Sequence, residues 1–348
     1  MKRANTLGGL YFLIHFLVEI TSFYVVTSYT DSPDVWMLMF VYDFAAFVPQ
    51  GLFGYLRDIV VRANLALIGT ALTTASLVMM WLQWNVFLIV TLLALGNCLV
   101  HIHGAELTLR GSPGKIAPAA VFVGGGSFGV ITGKLLAANQ TAVPWILGLN
   151  LISVLPILLA ERVRAENGED NLRQYRFAAS RFRPSVIIAL AVVVVAVRAY
   201  MGYGIPTSWN KTVVQSVMLF CFMGLGKALG GVLVDLIGIR ATSLISTLGA
   251  LPLLLFGAEN MTVSLIGVAF FSMTMAVTLA LLVSRLQKLP GVAFGFTTLG
   301  LFLGTAPIFF FRIRSFWTTC IILTILTVLC TFILLMICAK RATDHTKE

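Results

Sequence analysis

Residues 51–62 read GLFGYLRDIVVR, and residues 228–240 read ALGGVLVDLIGIR. Gly54 and Asp58 of the first stretch fall on Gly231 and Asp235 of the second at one offset, 177 residues. The dipeptide Pro113-Gly114 falls on Pro290-Gly291 at the same 177. In a chain of 348 residues that offset is half the length. One unit is therefore used twice.

Composition says what kind of unit it is. Hydrophobic residues make up 59% and charged residues 11%, with mean hydropathy +0.95. A soluble domain carries about 25% charged residues. A helix needs roughly 20 apolar residues to cross a bilayer. Twelve such spans are predicted, at 7–30, 35–55, 62–84, 86–109, 115–137, 142–161, 184–205, 210–235, 240–257, 262–286, 290–311 and 316–339. The long polar segment 162–183 lies midway. The expected architecture is an all-α membrane protein of two pseudo-symmetric six-helix bundles, 1–161 and 184–348, joined by a cytoplasmic linker at 162–183.

Sidedness follows from the basic residues. With the N-terminus inside, 18 of the 24 Lys and Arg fall at cytoplasmic ends and loops, as the positive-inside rule requires. All six Trp (36, 81, 84, 145, 209 and 317) fall at the opposite ends, where an interfacial belt belongs. Arg312 and Arg314 break the pattern. The net charge of +10 is thus a topology signal, not a nucleic-acid footprint. The expected location is a bacterial inner membrane, with both termini cytoplasmic, the first span kept as an anchor, and the chain a monomer. The five Cys all lie in spans, and no Cys-x-x-Cys occurs. No cofactor and no metal site are expected.

Gly-x-x-x-Asp followed by Arg, in the loops after spans 2 and 8, resembles the loop signature of the major facilitator superfamily. Gly231, Asp235, Gly238 and Arg240 fit it fully. Gly54, Asp58 and Arg62 fit too, but Val61 stands where that family prefers Gly. The resemblance implies a secondary transporter built from repeats. These segments then act as gates, because an Asp at the start of a facing helix is favoured by the helix dipole. A weaker resemblance, to the drug exporters of that superfamily, rests on Gly125, Gly129 and Gly133 in span 5, where Val130 replaces the motif's Pro and Lys134 its last Gly. Glycines four apart also serve plain helix packing. Leu92 stands where proton-coupled exporters usually place an Arg.

Ionisable residues inside spans are the candidate site. His15, Glu19 and Ser22 share one face of span 1. The frame His15-x-x-x-Glu19 is similar to a His-x-x-x-Asp frame in the fosmidomycin-resistance-like branch. In span 4, Asn97, His101 and Gly104 form one stripe, and His103, Glu106 and Arg110 form another, in which Glu106 and Arg110 are spaced to pair structurally near the inner face. His101 and His103 point about 200° apart, so they do not share a metal ion. Asp43 in span 2 has no evident partner. Arg198 in span 7 is expected to bind an anionic group or to pair with Glu19 or Asp43. Lys227 is expected to partner Asp235, and Lys134 to snorkel outward.

The substrate- and ion-binding set is therefore His15, Glu19, Asp43, His101, Glu106 and Arg198. The function expected is proton-coupled transport of a small organic solute or drug, with export favoured. The alternative is a sodium- or proton-coupled uptake permease for a small polar or anionic metabolite, with Glu19, Asp43 and Glu106 as a sodium site. A third reading is a non-transporting scaffold or receptor on the same fold. No nucleophile–base pair, metal cluster or phosphate loop suggests an enzyme.

Overall fold

The computed structural model describes residues 2–60, 63–165, 182–311 and 315–338. The chain forms helices α1 (Lys2–Ser28), α2 (Val35–Phe47), α3 (Gln50–Ile59), α4 (Leu65–Trp81), α5 (Val86–Arg110), α6 (Ala117–Ala138), α7 (Val143–Ile152) and α8 (Val154–Ala165). After the polar segment come α9 (Pro184–Gly204), α10 (Val213–Leu244), α11 (Ala250–Phe256), α12 (Met261–Arg285), α13 (Pro290–Thr305) and α14 (Phe316–Ile337).

Ten helical segments among the described residues are long and apolar enough to cross a membrane, and α4 is a shorter apolar helix. Two of the twelve predicted spans merge in a continuous segment, Val213–Phe256. Within it Gly238 has φ +83, a conformation that L-side chains rarely adopt. The helix reverses its regular geometry at that residue, so a Gly is required there. Pairs of helices in one apolar run, α2 with α3 and α7 with α8, are breaks near Pro49 and Ser153 rather than separate crossings.

Local chemistry sets the helix starts. Asn64 caps α4 by accepting from Leu67 N–H at 3.0 Å, and Asn85 accepts from Phe87 N–H at 3.0 Å. Thr212 and Gln215 form a capping box on α10. Pro118, Pro144, Pro184 and Pro290 sit in first turns, where a missing N–H costs nothing.

The outer surface is apolar. Leu52, Trp145, Leu236, Phe256 and Trp317 are all more than two-thirds exposed. Water would reject that surface and hydrocarbon would not. Trp36, Trp81, Trp84, Trp145 and Trp317 are exposed at helix ends, while Trp209 is buried and does not join the belt.

Inside, helices touch through glycine. A Cβ on Gly125, Gly129 or Gly133 would run into the carbonyls of Phe12, Phe16 and Ile20, four residues apart on α1. The span-5 glycine frame is thus a packing seam between α1 and α6. Gly69 meets Gly96 between α4 and α5, and Gly226 meets Ala269 between α10 and α12. Two further seams join the halves: Gly54 against Gly291 (α3 and α13), and Gly231 against Ala117 and Ala120 (α10 and α6).

Candidate functional site

At one end of the bundle two carboxylates cap helices of the opposite half. Asp58 accepts from Gly291 N–H and Val292 N–H, each at 3.0 Å, at the start of α13. Asp235 accepts from Ile116 N–H at 2.8 Å and Ala117 N–H at 3.0 Å, at the start of α6. Each pair of bonds places an anion on a helix N-terminus, where unsatisfied N–H groups and the dipole favour it. Asp58, Gly54, Asp235 and Gly231 thus stand at contacts between the halves, and Gly238 makes the turn after Asp235.

Glu106 pairs with Arg110 at this end, as their spacing predicts, so it does not join the substrate- and ion-binding set; it also pairs with Arg57 at 3.0 Å, and its side chain is fully buried. Arg110 reaches Asp58 at 3.3 Å. Arg57 lies on α3, so spacing along α5 could not reveal it. Arg240 is exposed, and among the described residues no carboxylate pairs with it. Arg62 lies outside the described residues. On the same stripe of α5, His103 meets Glu161 at 2.7 Å, a partner from α8.

Midway along α1 the first stripe converges on Glu19. Its Oε1 lies 3.6 Å from His15 Nε2 and 3.4 Å from His101 Nε2, and it accepts from Asn97 Nδ2 at 3.0 Å. Asn97 Nδ2 also donates to Ser22 Oγ at 2.9 Å. The remaining ring nitrogens settle the tautomers. His15 Nδ1 is 2.8 Å from the Phe122 carbonyl, and His101 Nδ1 is 2.9 Å from the Asn97 carbonyl. A carbonyl only accepts, so both Nδ1 atoms carry hydrogen. A neutral imidazole then presents a bare Nε2 lone pair to Glu19.

The consequence is electrostatic. With Glu19 ionised and both imidazoles neutral, three lone-pair atoms would face one another within 4.8 Å. All three residues are buried, where water does not screen them. The cluster therefore favours a cation, and a single proton on any one of the three atoms can join Oε1 to one of the two Nε2 atoms. The seat is built by α6: a Cβ at Gly126 would strike the His15 ring, and one at Gly129 would strike Glu19 Cβ.

At the other end a cavity of about 820 Å³ lies between the halves, lined by α1, α2, α6, α9, α13 and α14. Asp43 lines it, as does Thr305 of α13, whose hydroxyl donates to the Phe302 carbonyl at 3.2 Å. Tyr42, Trp36, Tyr200, Tyr203 and Phe309 supply aromatic surface, and Lys134 the basic group. Lys134 does not merely snorkel: its Nζ sits 5.6 Å from the Phe23 ring and 5.2 Å from Phe220.

Arg198 pairs with neither Glu19 nor Asp43. It is buried behind the cavity wall, stacked 3.3 Å over the Phe271 ring and donating to the Phe271 carbonyl. Lys227 does not reach Asp235 either; it donates to Ser127 Oγ at 2.9 Å across the α6–α10 seam. Glu19, Asp43 and Glu106 stand at three separate places, so they form no sodium site. Tyr42, Ser127 and Thr305 are the residues here that sequence reasoning left out, whereas Ser22 and Asn97 were marked by their shared faces with Glu19 and His101.

Among solved structures the chain is similar to the E. coli fucose:proton symporter, with TM-score 0.62 at 14% identity, over 97% of this chain and 98% of that one. This is the major facilitator fold. At that identity the likeness is one of fold. No family model matches the chain. No curated protein matches it in sequence.

Proposed function

We propose that this chain is a proton-coupled secondary transporter of the major facilitator type, moving a small organic solute by alternating access. In this reading the polypeptide crosses the membrane twelve times, α4 being one crossing and the turn at Gly238 dividing Val213–Phe256 into two. Residues 1–161 and 184–348 are the two moving halves. The end holding Asp58 and Asp235 faces the cytoplasm, by the placement of Lys and Arg, and the cavity opens outward.

The observation that carries the reading is the pairing of a wide cavity at one end with breakable caps at the other. The four N–H donors of Gly291, Val292, Ile116 and Ala117 are held by charge-assisted hydrogen bonds alone. Such contacts can be exchanged for water when the halves rock apart, whereas a packed apolar core cannot. Proton coupling is supported by the lone-pair geometry around Glu19, and the fold neighbour is itself titled a fucose:proton symporter. The cavity's aromatic walls with one acid and one base suit an amphipathic organic solute.

The test is proton release or uptake on adding substrate to purified protein. Glu19→Gln mimics the protonated carboxyl. It should abolish pH-driven accumulation in vesicles, by 100-fold or so if the loss is about 2.7 kcal/mol of coupling, yet spare exchange. A sodium-driven transport without pH dependence, or an unchanged proton signal in Glu19→Gln, defeats the proposal.

A further inference from the structure

The cluster around Glu19 has a feature that proton coupling does not require. His101 cannot share an ion with His103, but the fold gives it a different partner, His15 of α1. Three atoms of the kinds that bind transition metals thereby converge. They are Oε1 of Glu19 and the Nε2 atoms of His15 and His101, all within 4.8 Å of one another. A zinc-type ion holds imidazole nitrogen and carboxylate oxygen at about 2.0–2.2 Å, and ligands at that radius in a tetrahedral shell stand about 3.3–3.6 Å apart. Oε1 lies 3.4 Å from His101 Nε2 and 3.6 Å from His15 Nε2.

Both rings are already set as ligands. A metal-binding His donates its other ring N–H to a carbonyl or carboxylate, which fixes the tautomer and leaves the ligating nitrogen bare. His15 does this through the Phe122 carbonyl at 2.8 Å, and His101 through the Asn97 carbonyl at 2.9 Å. Asn97 also donates to Glu19 Oε1 at 3.0 Å and so orients the third ligand. One bare nitrogen would be enough to share a proton with Glu19; here two are prepared. The three ligand side chains keep 7–9% of their surface accessible, whereas those of Arg57 and Glu106 keep none. The cluster is thus open to an ion in a way that the charge network at the gate is not. Two imidazoles also select the ion, because magnesium and calcium take oxygen ligands and imidazole suits zinc, copper and nickel.

We propose that His15, Glu19 and His101 form a three-ligand site for a divalent transition-metal ion of the zinc type, its fourth position left to water. Metal and proton compete for the same lone pairs, so the bound ion arrests transport. That arrest rests on the proton-coupled reading above; the binding itself does not.

The experiment is a calorimetric titration of the purified, tag-free, chelator-stripped full chain with Zn2+, followed by X-ray absorption on the loaded protein. One equivalent should bind, with two imidazoles in a nitrogen and oxygen shell at about 2.0–2.2 Å. Mg2+ should not displace it. Loss of an outer-shell partner weakens metal binding roughly 10–100-fold, and loss of a ligand in His15→Asn or His101→Asn should weaken it at least as much. His103→Asn, on the other stripe of α5, should bind as the native protein does. The proposal is overturned by the absence of stoichiometric binding, by a shell with sulfur or without two imidazoles, or by native affinity in His101→Asn. X-ray absorption needs no variant, so it decides the matter even where His101→Asn does not fold. Vesicle transport separates the two readings. If Zn2+ binds with the expected shell while pH-driven transport continues, the metal site stands and the proton reading of Glu19 falls. If Zn2+ does not bind while Glu19→Gln loses coupling, only the metal site falls.

Discussion

Asp58 and Asp235 make the same contact in opposite halves, yet their surroundings differ. Each carboxylate takes two backbone N–H groups at 2.8 to 3.0 Å. Around Asp58, however, Arg57, Glu106 and Arg110 complete a buried four-charge cluster of zero net charge. Around Asp235 no basic side chain is paired among the described residues, and Arg240 faces outward. The cap recurs in both stretches because a helix N-terminus favours an anion. The charge network does not recur, because it depends on α5: Glu106 and Arg110 map, at the same offset of 177, onto Val283 and Gln287. One contact is a capped helix locked by ion pairs; the other, among the described residues, is a capped helix alone.

The largest break in this comparison is Glu106→Gln. It removes the carboxylate 3.0 Å from Arg57, whose side chain has no exposed surface, and the one that also pairs with Arg110. Breaking a buried pair from one side costs about 3–5 kcal/mol. The expected result is a fall in yield and in unfolding temperature in detergent, and restoration of both by Arg57→Met added to Glu106→Gln. A native melting curve for Glu106→Gln alone would mean that the cluster is hydrated and does not lock the gate.

Next in size is the contrast between Asp58→Asn and Asp235→Asn. Both lose hydrogen bonds to a charged acceptor, about 1.5–3 kcal/mol. Asp58→Asn additionally leaves a surplus positive charge in the cluster. Transport in vesicles should fall in both variants, and further in Asp58→Asn, with the melting curve lowered mainly there. Equal losses would erase the distinction drawn between the gates.

What was legible in the sequence follows the same division. The repeat exposed Asp58 and Asp235 because a local motif must recur wherever a helix is capped. Helical spacing exposed His15, Glu19 and His101, since residues three and four apart share a face whatever surrounds them. It failed wherever the partner lay on another helix. Glu106 is four residues from Arg110, but Arg57 decides its role. Arg198 was read as a cavity cation because its span lines the cavity, yet its side chain turns back to Phe271. Lys227 was assigned to Asp235 by proximity along one helix, and the close α6–α10 seam gives it Ser127 instead. Burial of charge in a membrane protein says that a partner exists. It does not say from which helix the partner comes.

The smallest expected effect sharpens the comparison from the other side. Arg240 occupies the motif position that, by resemblance, should belong to the second gate. Its side chain is exposed, and its recorded contact, with Ser243, is through its backbone carbonyl. If capping alone closes this gate, Arg240 contributes only to the charge at the membrane face. Surface substitutions away from caps and cores change stability little, so Arg240→Gln should keep the unfolding temperature within about 2 °C. Transport should stay within about twofold of the native rate, and the protection of the Ile116 and Ala117 amides against hydrogen exchange should not change. Raising the salt concentration is the internal control, because the field of an exposed charge is screened within about 10 Å at 0.1 M salt. Any loss in Arg240→Gln that salt reproduces in the native protein is a surface-charge effect and leaves the two-gate distinction intact. A salt-independent loss as deep as that of Asp235→Asn would mean that Arg240 turns inward at another stage of the cycle. The second gate would then be a charge network as well, assembled only when the first comes apart.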